Sequence, residues 1–446
     1  MVCAGLSALL ASASHQASAD LMQSSNFRLD PNVASSFGGT GSSTNYQMSS
    51  TGGEPIVGAG ASQSFKLGGG YNAQLPHSIQ LSVLPSGTVA DWSLDTGTGT
   101  AAYDNSLTGN DGILQNAPTW VTGIVNQGIQ LNGTTQYLST GLSSTAPQVF
   151  TIEIWFKTTT SSGGRLMGFG SSSTGASGTL DRHLYLDNAG HVIWGVTSSG
   201  NQTVTTTATY NDGSWHHVAA SLGSGGLLLN VDGVRQGTNQ SITSASSYSG
   251  YWRIGYDNLA GWTSAPSSNY LAASVDEARV YNRQLTDQEI TNDYVAGASS
   301  LQNAFTLPDI VPGTSQTYLA DAIVRTEAAG YDLYVNKTAP VTHTDNTTTI
   351  PDISGSIASP SAWTEGTTKG VGFTLTAGTQ LEGSWGTNPN YMYAAIPSSS
   401  TLFHSRTGEN AGVAEATTVQ YRADTNSTQK QGLYSTTVIY SATAKP

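Results

Sequence analysis

Apolar and polar residues alternate with a period of two over many short stretches of this chain. That is the pattern of strands with one buried face. Phe150–Lys157, FTIEIWFK, alternates over eight residues. Residues 182–186 and 191–196 flank Asp187-Asn188-Ala189-Gly190, which predicts a hairpin turn. Residues 228–231 run into Asp232-Gly233. Both of those residues tolerate φ > 0, so a type I′ turn is expected there. One helix is predicted. Thr286-Asp287-Gln288-Glu289 is a capping box, in which hydroxyl and carboxylate satisfy reciprocal backbone donors and stabilise the first turn by about 1 kcal/mol.

The patterning divides the chain into three β regions. Residues 20–82 carry a short repeat, SNFRL, TNYQM and QSFKL, with aromatics at Phe27, Tyr46 and Phe65, spaced 19 residues apart. Such short units do not bury a core alone, so they are expected to pack on a neighbour as a stalk or docking segment. Residues 85–299 hold closely spaced strands with turn signals between them, as in sandwiches and jelly rolls. Residues 302–446 hold Thr/Val/Tyr-rich strands punctuated by prolines and end in a long alternating strand, the closing element of many β sandwiches. The expected fold class is all-β.

Composition narrows the class further. Only 10% of residues are charged and the net charge is −13. Ser and Thr make up about a quarter of the chain and Gly numbers 51. Sixteen dispersed basic residues argue against nucleic-acid binding, which needs clustered Lys and Arg. Hydrophobics at 37% suffice for a core. The single cysteine, Cys3, lies in an apolar stretch that ends in Ala17-Ser18-Ala19. That stretch reads as a signal peptide over residues 1–19 and implies a secreted, cell-surface-associated protein. Its removal leaves no cysteine, so disulfides and Cys-bound zinc are not expected. No later segment offers about 20 consecutive apolar residues, so no membrane span is expected in the mature chain.

Four stretches in residues 85–299 resemble the laminin-G-like jelly roll of the concanavalin A-like lectin/glucanase superfamily, in the form common in bacterial secreted proteins. VADWSLD at 89–95 resembles the opening strand, and YDNSLTGNDG at 103–112 resembles a D-x-S-x-x-G-N-x-G loop. GSWHHVA at 213–219 resembles a W-H-H-V strand, and VDEARVYNR at 275–283 resembles the closing I-D-E-x-R-I-Y-N-R. Together they span about half of the chain. The implied architecture is a central jelly-roll sandwich, flanked by a small N-terminal β segment and a C-terminal β sandwich.

The resemblance implies a structural Ca²⁺ where the Asp-Asn-Ser loop meets the closing strand. Asp104, Asn105, Asn110 and Asp276 are the expected oxygen ligands, with Asp111 and the Gly109 carbonyl in reach. The chain departs from the family near residues 131–137, where Asn132 and Gln136 stand in place of acids. The other reading of the loop is that Asx hydrogen bonds hold it without an ion.

A second candidate is an aromatic glycan platform. Trp252, Tyr256, Trp262 and Tyr270 cluster in sequence, with Asp257, Asn258 and Asn269 beside them to bond sugar hydroxyls. Trp262 lies in a Gly/Ser/Pro-rich loop, residues 261–268, and is expected to be the exposed member. Trp252, Trp155 and Trp215 are read as core. Catalysis is not expected. A glycosidase needs two carboxylates at a defined separation, and Glu153 has no second acid two or four places on. Asp276 and Glu277 are adjacent, so an ideal strand points them to opposite faces. His216 and His217 are read as structural for the same reason.

The leading expectation is a non-enzymatic surface recognition protein that binds a glycan or glycoprotein through Trp262, Tyr270, Tyr256, Asp257 and Asn258. The alternatives are a structural surface-layer or pilus-type component, or accessory domains of a polysaccharide hydrolase.

Overall fold

The structure, a computed structural model, describes residues 79–298, 304–307, 310–408 and 412–445. Before residue 79 it describes seven strands: Val2–Leu6, Met22–Ser24, Phe27–Leu29, Gly39–Ser43, Tyr46–Ser50, Gly58–Ser62 and Phe65–Gly69. Most of the expected signal segment, residues 7–19, lies outside the described residues. Among the described residues, no helix is long and apolar enough to cross a membrane.

The repeat forms three separate antiparallel hairpins rather than one sheet. Phe27, Tyr46 and Phe65 each open the second strand of a pair. The common pattern is thus a hairpin unit.

The central domain is a sandwich of two antiparallel sheets. The first has nine strands. Its middle runs Tyr137–Thr140, Ser249–Ile254, Gly164–Gly170, Leu180–Leu186 and His191–Ser198. The second has eight strands, centred on Gln127–Asn132, Ala272–Tyr281, Phe150–Lys157 and Trp215–Leu222. Alternation sends Ile152, Ile154 and Phe156 inward from one sheet and Leu184, Val192 and Trp194 inward from the other. Phe150 meets Trp194 nearly edge-on, with centroids 5.8 Å apart. Each such fully buried side chain contributes about 1.5–3 kcal/mol. Trp252 belongs to this core, as expected. Trp155 is also buried, but on the other face of its sheet, stacked 5.6 Å from Tyr294 of the helix Asp287–Ala298. Trp215 is only half-buried, because it begins its strand.

The local signals appear where they were read. Asp187 Oδ1 accepts the N–H groups of Ala189, Gly190 and His191, closing the first hairpin. Asp232 and Gly233 adopt φ of 52° and 75°, as a type I′ turn requires. Glu289 N donates to Thr286 Oγ1, and Thr286 N donates to Glu289 Oε2.

The C-terminal domain is a second sandwich, and it is discontinuous. Its four-stranded sheet runs Gly370–Ala377, Glu415–Asp424, Gln316–Thr326 and Ile79–Pro85. The last strand precedes the jelly roll in sequence. It pairs antiparallel with Gln316–Thr326 over seven residues, from Ala320↔Pro85 to Thr326↔Ile79. Val83 joins the core of Ala320, Ala322, Val324 and Val419. The expected boundary near residues 82–85 therefore cuts through a strand of the other domain. The jelly roll is inserted between two strands of one sheet. Gly87 N donates to Asp321 Oδ2, and Arg283 Nε donates to Ser86 O, tying both domains to the crossover.

Candidate functional site

The predicted glycan residues fall in one excursion, residues 255–271, between strands Ser249–Ile254 and Ala272–Tyr281. It opens at Gly255, with φ of 90°. A Cβ there would lie 2.5 Å from Leu131 Cδ1, so only glycine turns the chain at this point. An antiparallel bridge between Tyr256 and Tyr270 closes the base. The two rings stack with centroids 3.8 Å apart and planes 9° from parallel. Tyr137 leans on both, at 5.3 Å and 6.3 Å. The Arg253 guanidinium sits 4.9 Å from the Tyr137 centroid and 5.1 Å from that of Tyr256. Tyr256 and Tyr270 are half-buried, so this rigid triple-tyrosine cluster keeps part of its surface exposed. Burial, with the neighbouring Tyr256, pushes the Tyr270 phenol up to about 12, so it stays a neutral donor at ordinary pH.

Trp262 corrects the expectation: it is not an exposed platform. It retains 7% of its surface and packs with Leu259, Tyr185 and Ile193. His183 meets it edge-on at 4.5 Å. Gly195 lies beneath, where a Cβ would come within 2.9 Å of the indole. The Gly/Ser/Pro composition of the loop hid this, because no periodicity marks a buried residue in an irregular segment. Asp257 is also fully buried. Arg165 Nη1 lies 2.8 Å from it and Arg253 Nη1 3.3 Å. Ser177 donates to it through N and Oγ, at 2.9 and 2.8 Å. Burial alone would raise this carboxyl, but the two guanidiniums hold it below the usual carboxylate range. Asp257 therefore anchors the excursion and is not free to bond a ligand. Asn258 Oδ1 accepts Ala260 N at 2.9 Å, and Asn258 stays half-buried at the rim.

Sequence reading missed Arg165, His183 and Arg253. All three are fully buried on the face of the nine-stranded sheet that the excursion covers. The available signal was an arginine inside an apolar strand of a chain with few basic residues.

The expected calcium ligands are engaged in hydrogen bonds of their own. Asp104 Oδ1 accepts the N–H groups of Asp91 and Ser106. Its Oδ2 accepts Thr108 Oγ1 and Asn110 N. Asn105 directs its amide nitrogen at Asp91 and Ser93. Asn110 Oδ1 accepts Leu142 N. Asp276 serves a different turn, accepting Ile124 N, Val125 N and Glu277 N. Each Asp104 oxygen thus already accepts two protein donors, and Asp276 is committed to a separate turn. Among the described residues, no three His, Cys, Asp or Glu are grouped to hold a metal ion. The geometry fits the loop held by Asx hydrogen bonds.

The closing strand also breaks ideal alternation. Glu277 has φ of 46°, and the register against Phe150–Lys157 slips between Glu153 and Trp155. This bulge leaves both Asp276 and Glu277 buried, and burial pushes both carboxyls up, with Asp95 adding repulsion to each. Glu153 does find a second acid, but from the helix. Tyr281 Oη donates toward Glu153 Oε2 at 3.1 Å and Asp293 Oδ2 at 3.3 Å. Glu153 is buried and Asp293 is half-buried. His216 and His217 diverge as read. His216 bonds Asp232 and Asp212, whereas His217 lies against Trp155 and near Glu153.

Residues 132–291 match the laminin-G-type model of the concanavalin A-like lectin/glucanases superfamily. Comparison with curated proteins gave no match. Several solved structures match part of the chain. A Trypanosoma rangeli sialidase in complex with sialic acid is 17% identical with a TM-score of 0.37, covering 48% of this chain. The chain spans only 34% of that sialidase. Domain 4 of AbnA, an extracellular arabinanase from Geobacillus stearothermophilus, in complex with arabinotriose, is 19% identical with a TM-score of 0.33. That match covers 49% of this chain and 100% of the domain. The binding domain of Paraclostridial Mosquitocidal Protein 1 is 12% identical with a TM-score of 0.37, covering 56% of this chain and 61% of its own.

Proposed function

From a central domain whose residues 132–291 match the concanavalin A-like lectin/glucanases superfamily model, we propose that this protein is a non-catalytic recognition protein that binds glycan through its tyrosine rim. The observation that carries this reading is the Tyr256–Tyr270 stack, held at 3.8 Å and braced by Tyr137. A sugar ring presents an apolar face to such a surface and hydroxyls to the phenols. Ring order is already established before binding, so little side-chain entropy remains to be lost. Asn258 at the rim adds an amide. Arg253 behind Tyr137 and Tyr256 fixes the rings from below.

Secretion and display at a cell surface complete the proposal, consistent with a surface built from Ser, Thr, Asn and Gly. The inserted arrangement of the two sandwiches suits presentation of the rim on a second domain. A glycan array probed with the full chain and with Tyr270→Ala tests the reading. Saturable binding that the substitution removes supports it. Absence of binding, with concentration-dependent assembly in light scattering, favours a structural surface component instead. Turnover of a polysaccharide favours a hydrolase accessory role.

A further inference from the structure

Beneath residues 256–271 the face of the nine-stranded sheet is not built like a core. Beside the apolar Tyr185 and Ile193 it presents Arg165, His183 and Arg253, where an aliphatic layer would be the stable filling. Arg165, His183 and Arg253 are fully buried. Among the described residues, Nε and Nη2 of both arginines and both ring nitrogens of His183 meet no hydrogen-bond partner, and the Arg253 guanidinium faces the Tyr137 and Tyr256 rings. Two guanidiniums share one carboxylate, Asp257. Burial and the neighbouring Arg165 keep His183 neutral. Unpaired buried donors are costly, so a surface of this kind fits a partner rich in acceptor oxygens and carrying negative charge.

What covers it is a latched loop. Leu259 and Trp262 plug the face. The tip is held by Tyr185 Oη donating to Thr263 O, and by Thr203 Oγ1 donating to Thr263 Oγ1 at 3.1 Å. Ser268 N donates to Ser162 O at 3.1 Å. Gly255 and Gly261, with φ of 90° and 82°, stand at the base and before Trp262.

We propose that residues 259–268, beyond the Tyr256–Tyr270 bridge, are a plug over a second, latent site for an anionic saccharide, bearing carboxylate or sulfate, recognised by Arg165 and His183 once Trp262 withdraws. The inference extends the glycan-binding reading given above, but uses different residues, so the two fail separately.

The test compares wild type with Trp262→Ala and with the latch variant Tyr185→Phe/Thr203→Ala, which leaves Trp262 in place should the first fail to fold. Each is titrated calorimetrically with a hexameric oligogalacturonate, a heparin hexasaccharide and maltohexaose. The expected result is at least about tenfold tighter binding of an acidic hexamer by the latch variant, with no gain for maltohexaose. His183→Gln in the latch background should remove that gain while the melting curve stays cooperative. Gain with oligogalacturonate alone identifies carboxylate as the recognised group, and gain with heparin alone identifies sulfate. Equal affinity of wild type and opened variants for both acidic hexamers overturns the proposal, as does an equal gain for maltohexaose. Wild-type binding of neutral glycan, lost in Tyr270→Ala, bears on the rim and leaves this outcome independent.

Discussion

Tyr256 and Tyr270 lie face to face across the base of one excursion, 3.8 Å apart and within 9° of parallel. The backbone bridge between the same two residues imposes that approach. Cross-strand aromatic pairs each contribute about 0.2–1 kcal/mol to such a closure. The pair therefore joins the fold to the proposed function: the contact that closes the excursion also presents the rim.

Trp262 is packing for the loop, which reverses what its substitution means. Trp262→Ala should destabilise the central domain by about 3 kcal/mol. That corresponds to a fall of roughly 6–12 °C in its melting temperature. Calorimetry on the full chain checks this. A shift below about one degree would mean that the indole is not buried.

The loop around Asp104 holds itself. Its carboxylate accepts four protein donors. We expect EDTA to leave the melting temperature unchanged. Asp276→Ala should cost about 3 kcal/mol, because the N–H groups of Ile124, Val125 and Glu277 lose their acceptor. A drop in melting temperature with EDTA that added Ca²⁺ restores would contradict this account.

The Glu153–Asp293 pair predicts a pH dependence. Burial pushes both carboxyls up, with Asp293 adding repulsion to Glu153 and Arg279 opposing it. Tyr281, His217, Tyr318 and Glu289 are the other titratable groups around the pair. A carboxyl raised in the folded state binds its proton more tightly there than when unfolded. Its contribution is therefore present at pH values below the ordinary carboxylate range and is lost as pH rises through the raised value. Asp293→Asn, which keeps a neutral partner for Glu153, should raise the melting temperature at pH 8 and change it little at pH 4. An identical shift at both pH values would exclude the pair as the cause.

The strand Ile79–Pro85 belongs to the C-terminal sandwich although the jelly roll follows it. Val83→Asp places an unpaired charge in that core, where Val83 keeps 2% exposure. It should lower the melting of the C-terminal domain and expose residues 310–445 to limited proteolysis, leaving the jelly roll resistant. Loss confined to the jelly roll would contradict the pairing.

Much of the jelly roll was legible because its signals are local. Asp232-Gly233 writes its turn in two residues, and Thr286 with Glu289 writes the helix start in four. The opening and closing stretches carried the family resemblance. What sequence could not disclose is non-local. Arg165 and Arg253 meet at Asp257 only because strands Gly164–Gly170 and Ser249–Ile254 are neighbours in the sheet. Glu153 meets Asp293 only through the packing of a helix on that sheet. The bulge at Glu277 broke an alternation that the residues themselves suggested. The membership of residues 79–85 depends on a partner strand more than two hundred positions away.

The central claim is that the tyrosine rim binds glycan by stacking. The direct measurement is calorimetric titration of the best array ligand into wild type, Tyr270→Phe and Tyr270→Ala. The account predicts that Tyr270→Phe, which keeps the ring face, stays within a few-fold of wild type. Tyr270→Ala should weaken binding at least about tenfold, equivalent to roughly 1.4 kcal/mol. Equal affinity of wild type and Tyr270→Ala would contradict the claim.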